Sequence, residues 1–151
     1  VAAKTYYERR SFRNALKTYL ESKGWPTDLR YEEGFQTDAT ITVPLVAIHF
    51  LPSEKRALQL APMEENTYRR TIQVDCYMES EPRAMAICDD TMDFMDLIAI
   101  TILNENAVNL GTLICLDTES INSEILPPNL GNPKVIRWRG VIRGVFEAHY
   151  P

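Results

Sequence analysis

The chain has 151 residues, 45% hydrophobic and 25% charged, which suits one ordinary folded domain and excludes a disordered tract, a fibrous repeat or two well-packed domains. Its net charge of −5 and pI near 5.1 exclude a general nucleic-acid coat, which gains affinity when clustered cations release counterions. Three cysteines, Cys76, Cys88 and Cys115, form no close pairs and fit buried thiols in a reducing cytoplasm rather than a disulfide framework.

Residues 3–23 read as an amphipathic helix. Phe12, Leu16, Tyr19 and Leu20 make an apolar stripe, Gly24 supplies a left-handed stop, and Pro26 forbids continuation. Arg10, Arg13 and Lys17 share one flank, with Arg9 nearer the buried edge; such a row is either a solvated face or a binding flank. Residues 25–38 read as a connection with a short strand around 29–31. Residues 45–51 then form a firm strand, with Pro44, which cannot donate a ladder hydrogen bond, at its start, a bulge or an edge. Residues 52–66 are long for a hairpin loop and carry Leu58, Leu60 and Met63 among charges, which suggests docking.

Residues 70–79 alternate as a half-buried strand should, with Ile72, Val74, Cys76 and Met78 toward the core and Gln73, Asp75, Tyr77 and Glu79 away from it. Ser80-Glu81-Pro82 is a helix-start signal, because the N–H that proline lacks would be unpaired there anyway. A long helix is expected from Pro82 to about Leu103, with Met85, Cys88, Met92, Met95, Ala99 and Ile102 along one stripe, broadened by Ile87, Phe94 and Ile98. Its end, residues 97–103, is apolar on every side of a helix and so is expected to be fully buried or covered by a neighbouring chain. This run is far below the ~20 residues that a membrane span needs, and the N-terminus shows no export signal.

Residues 104–111 close the helix, 112–118 form a short strand, and 119–134, with Pro127, Pro128, Gly131 and Pro133, read as a second long arm. Residues 135–150 are the clearest strand. Ile136, Trp138, Ile142, Phe146 and Tyr150 fall on one face, and Arg137, Arg139 and Arg143, with Glu147 and His149, on the other. Three guanidiniums on one side of a sheet are solvated, paired with carboxylates such as Asp75 and Glu79, or held against a partner.

Asp89, Asp93 and Asp96 share a helix flank and invite a metal reading. Mid-helix carboxylates with no histidine nearby make a poor cage, however, so their expected partner is a basic flank. His49 and His149 accompany no local nucleophile motif, and there is no phosphate-cradling glycine loop or zinc signature. No catalytic residue, metal or cofactor is expected.

The order helix, strand, long loop, strand, long helix, strand, arm, final strand resembles that of bacteriophage tail terminator (tail completion) proteins and related neck proteins. The likeness rests on the Val-Pro-Leu-Val-Ala-Ile strand at 43–48, the 68–78 strand entering the central helix, and the closing strand at 140–150. It implies a single α+β domain, with helices packed on a mostly antiparallel sheet, that assembles with itself as a ring, commonly a hexamer. Such a ring caps the tail tube, ends its polymerisation and offers the docking surface for the head connector or neck proteins, while DNA passes through without specific binding. The implied location is the virion, with no membrane partner and no enzymatic activity. The long segments at 52–66 and 119–134 leave a head-completion or other neck role open, and a small-molecule-binding or metal-dependent enzyme domain is the rival from another class. The expected interface residues, chosen from this sequence's own surface logic, are Arg10, Arg13, Lys17, Leu58, Leu60, Asp89, Asp93, Asp96, Arg137, Arg139 and Arg143.

Overall fold

The computed structural model describes residues 3–34, 41–51, 67–97, 99–126 and 136–151. The segment 52–66, with Leu58 and Leu60, and most of the second arm lie outside the described residues. Helix α1 (Ala3–Ser22) leads into β1 (Arg30–Glu33) and β2 (Leu45–Leu51); β3 (Thr67–Met78) enters α2 (Glu81–Leu97), and β4 (Ile100–Leu103), β5 (Asn109–Ile125) and β6 (Trp138–His149) follow. The strands form one curled sheet in the order β1-β2-β3-β6-β5-β4, antiparallel throughout except for the parallel β1–β2 pair. The fold is α+β.

Local chemistry sets the element ends. Gly24, at φ +96°, closes α1 in a Schellman arrangement: its N–H bonds Glu21 O and the Trp25 N–H bonds Leu20 O, both at 3.1 Å. At the start of α2 the Ala84 N–H donates to Ser80 O at 3.0 Å, so the chain turns from β3 into helix where the sequence signals it. In the β4–β5 turn Asn104 Oδ1 accepts the N–H groups of Asn106 and Val108, at 2.8 and 3.0 Å.

The long central helix is shorter than expected. It ends at Leu97, and Ile100–Leu103 form an edge strand in which Ile100 and Ile102 are buried while Thr101 and Leu103 are exposed. Ile-Thr-Ile-Leu is rich in β-branched residues, and pairing with β5 outweighs continuation of the helix. The buried face of α2 keeps Ile87, Cys88, Phe94 and Met95 of the expected stripe and adds Ala84 and Thr91, while Met85 is exposed.

Both helices cover one face of the sheet. Phe12, Leu16 and Leu20 of α1 meet Ile48, Ile72, Val74, Ile142 and Phe146 in the main core, where the Phe12 ring stands edge-on to those of Phe94 and Phe146 at 5.6 and 5.8 Å. Within that core the fully buried Glu8 carboxylate accepts from Arg70 Nε at 2.6 Å and from the Tyr150 hydroxyl, tying α1 to β3 and the end of β6. Trp138 is half-buried at the core margin, and Ile136, expected inside, is 58% exposed. Helix α1 also touches both rims of the sheet: Ser11 Oγ accepts the Leu103 N–H of β4 at 3.0 Å, and Arg13 lies 3.9 Å from Glu33 of β1.

Candidate functional site

Three places bear on function. The first is the face of the sheet away from the helices, where β3 was expected to be solvated and is instead buried. Asp75 Oδ1 accepts from Gln73 Nε2 at 2.9 Å, while its Oδ2 accepts from the Tyr77 hydroxyl at 3.4 Å and lies 3.1 Å from His49 Nε2. Arg143 extends this cluster by donating to Gln73 Oε1 at 2.8 Å. A buried carboxylate with several partners is a satisfied polar network that fixes strand register. His149 is separate, bonded to Glu147 at 3.2 Å and near Thr67; it stands six residues from Arg143 along β6, roughly 20 Å at strand spacing. The two histidines do not share a site.

Of the three alternatives for the arginines of the last strand, pairing within the subunit is the one seen, though not with the acceptors expected. Arg137 is 1% exposed and donates to Ile41 O at 3.0 Å, Arg139 pairs with Glu124 of β5, and Arg143 is held by Gln73. The expected acceptors are occupied otherwise, Asp75 by the cluster above and Glu79 by Arg83 in an i,i+4 pair at 2.6 Å. These cations therefore take partners within the subunit, although β6 alternates buried and half-exposed residues.

The second place is a groove of about 830 Å³ between α1 and the outer edge of β4. Arg10, Asn14, Thr18 and Tyr19 form one wall, Thr101, Asn104 and Glu105 the other. Arg10 lies over the Tyr6 and Tyr7 rings at 5.7 and 5.6 Å. The Tyr7 hydroxyl donates to the Glu105 carboxylate, which raises the tyrosine pKa and lowers that of the glutamate.

The third place is the outer edge of β5. Strand β4 covers it only from Asn109 to Leu113, and among the described residues 114–125 pair only with β6. Ile114, Leu116 and Ile125 are 40%, 48% and 59% exposed there. This segment was expected to be an irregular arm beyond Thr118; pairing with β6 extends it as strand, with register shifts after Cys115 and Ile121. Asp89, Asp93 and Asp96 stand exposed on the α2 flank beside it, and the Thr118 hydroxyl donates to Asp96 Oδ1 at 3.0 Å. Asp90 points elsewhere, accepting the Trp25 indole N–H at 2.7 Å. Among the described residues no group of three or more His, Cys, Asp and Glu side chains is arranged to hold a metal ion, and no helix is long and apolar enough to cross a membrane.

No protein-family model matches the chain, and no curated protein matches its sequence.

Proposed function

We propose that this protein is a structural subunit that assembles with copies of itself into a ring, in the manner of the phage tail terminators its sequence resembles. The observation that carries the reading is the open edge of β5. A strand whose outer edge beyond Leu113 has no ladder partner among the described residues, with Ile114, Leu116 and Ile125 exposed, is a template for association, and an isolated subunit would gain by covering it. The helices-on-sheet fold agrees with what the resemblance implies, and the net charge of −5 suits a ring through which DNA slides without adhering. Capping of a tail tube and docking of a head connector are the roles this reading assigns to the two faces of the ring.

Light scattering over a wide concentration range, with imaging of the particles by electron microscopy, tests the proposal. Closed rings of one size are expected, and a monomer at every concentration ends it. A second reading rests on the α1–β4 groove, whose volume is within the range of ligand sites. A protein that stays monomeric yet binds a small molecule, with binding lost on Thr18→Trp, would establish that reading instead.

A further inference from the structure

Resting on that assembly reading, the structure assigns the two surfaces that meet. We propose that the open edge of β5 and the acidic flank of α2 form one docking surface, whose occupant is the cationic flank of α1 on a second copy of this chain.

The first surface wraps the edge of β5, with Thr118 on the α2 side and Ile114, Asp117 and Glu119 alternating to the other face. The Thr118–Asp96 hydrogen bond places the α2 flank against β5, and Asp89, Asp93 and Asp96 follow one another at steps of four and three residues along that flank. Asp117 and Glu119 add two exposed carboxylates from β5 itself, beside Ile114 and Leu116. An apolar strip bordered by anions calls for a partner that carries cations on hydrocarbon stems, which arginine and lysine provide.

Charge then selects the occupant. Pairing β5 with β5 of another copy sets Asp117 and Glu119 against their own kind, and like charges facing one another across strands are destabilising. Within the subunit, Arg70 is held by Glu8, Arg83 by Glu79, Arg139 by Glu124 and Arg143 by Gln73, and Arg137 is buried. Among the described residues the α1 row, unlike these, keeps exposed cations, with Lys17 exposed and Arg13 joined to Glu33 by a 3.9 Å contact between side chains that are each 38% exposed. Its guanidiniums can donate both to the carboxylates and to the outward carbonyl groups of the β5 edge. Two different patches thus meet, and a one-way contact of this kind repeats from copy to copy until rotation closes it.

The full chain is compared with Asp93→Lys/Asp96→Lys, with Arg13→Glu/Lys17→Glu, and with all four changes together, each checked for folding by thermal melting. At low salt each double reversal should raise the concentration of half-assembly about tenfold or more, and the fourfold variant should recover most of the loss. Unchanged assembly of either double variant at low and moderate salt overturns the contact while leaving the ring reading intact. An assembly that stops at two copies overturns both the contact and the ring reading. A wild-type chain that is monomeric throughout fails the ring reading itself. Should a variant not fold, carbodiimide coupling in a mixture of isotope-labelled and unlabelled wild-type chains decides: Lys17 joined to Asp93, Asp96, Asp117 or Glu119 of another copy is expected, and its absence from assembled protein overturns the contact.

Discussion

Strands β3 and β5 reverse what their sequences suggest. β3 alternates apolar and polar residues like a strand with one wet face, yet residues 72–78 are buried on both sides and paired along both edges. β5 carries the continuous apolar run Leu-Ile-Cys-Leu at 113–116, the mark of a doubly buried strand, yet Ile114 and Leu116 are exposed and its outer edge there has no ladder partner among the described residues. The difference is position in the sheet. β3 sits between β2 and β6 with both helices above it, whereas β5 is one strand from the rim and outruns β4. Composition alone does not distinguish a core strand that buries a polar network from a strand near the rim that exposes apolar residues.

The contrast is broken most severely at the centre. Ile72→Ala removes a fully buried side chain from the main core and should cost ~2–5 kcal/mol in denaturant unfolding. A loss below ~1 kcal/mol would show that β3 is not the centre of the packing.

Next in size is Gly140→Ala. Gly140 lies opposite Cys76 on β3, and a Cβ there would collide with Cys88 Sγ of α2. The substitution should cost about 1–3 kcal/mol by overpacking, and adding Cys88→Ala should recover much of it, because the new methyl group then occupies the space the sulfur leaves. Simple additivity of the two changes would mean that α2 does not press on the sheet at this point.

The smallest stability effect belongs to the rim. Leu116→Thr should change unfolding free energy by no more than about 0.5 kcal/mol while weakening self-association, since its side chain is half exposed in the subunit. A large loss of subunit stability would place Leu116 in the core and remove the apolar part of the interface.

The thiols sharpen the same comparison through pH. Hydrogen bonding with Cys88 and burial raise the Cys76 thiol well above its ordinary range, while partial burial pushes Cys115 on β5 up to about 11. In the native protein Cys76 should resist alkylation, and Cys115 should react slowly at pH 8, its rate rising about tenfold per pH unit until near pH 11. The linkage has a definite sign. The unfolded Cys115 thiol loses its proton near pH ~8.5, so its contribution favours the native state fully below that pH and is lost as pH rises toward about 11. Equal alkylation rates for Cys76 and Cys115 at pH 8 would contradict the difference in burial.

Much of the fold is legible from local signals. The Gly24 stop, the Leu45–Leu51 strand, the Ser80–Pro82 helix start and the core side of β3 all stand where residue chemistry puts them, because caps, proline and two-residue alternation act over a few positions. The candidate interface is legible only in part. Arg10, Arg13 and Lys17 can be placed on one flank by helical spacing, as can Asp89, Asp93 and Asp96. That Arg137, Arg139 and Arg143 are spent inside the subunit is not visible, since their acceptors come from other strands or from the chain before β2.

The sequence by itself determined where α1, β2 and the start of α2 lie and which residues of β3 share a face, because these follow from backbone sterics and side-chain period. The tertiary structure alone decided that residues 100–103 join the sheet instead of continuing α2, that Glu8 and Asp75 are buried with their partners, and that β5 is left with an open edge. Each of these depends on which strand lies beside which, and strand order is fixed by contacts between residues far apart in the chain, where short-range pattern carries no information.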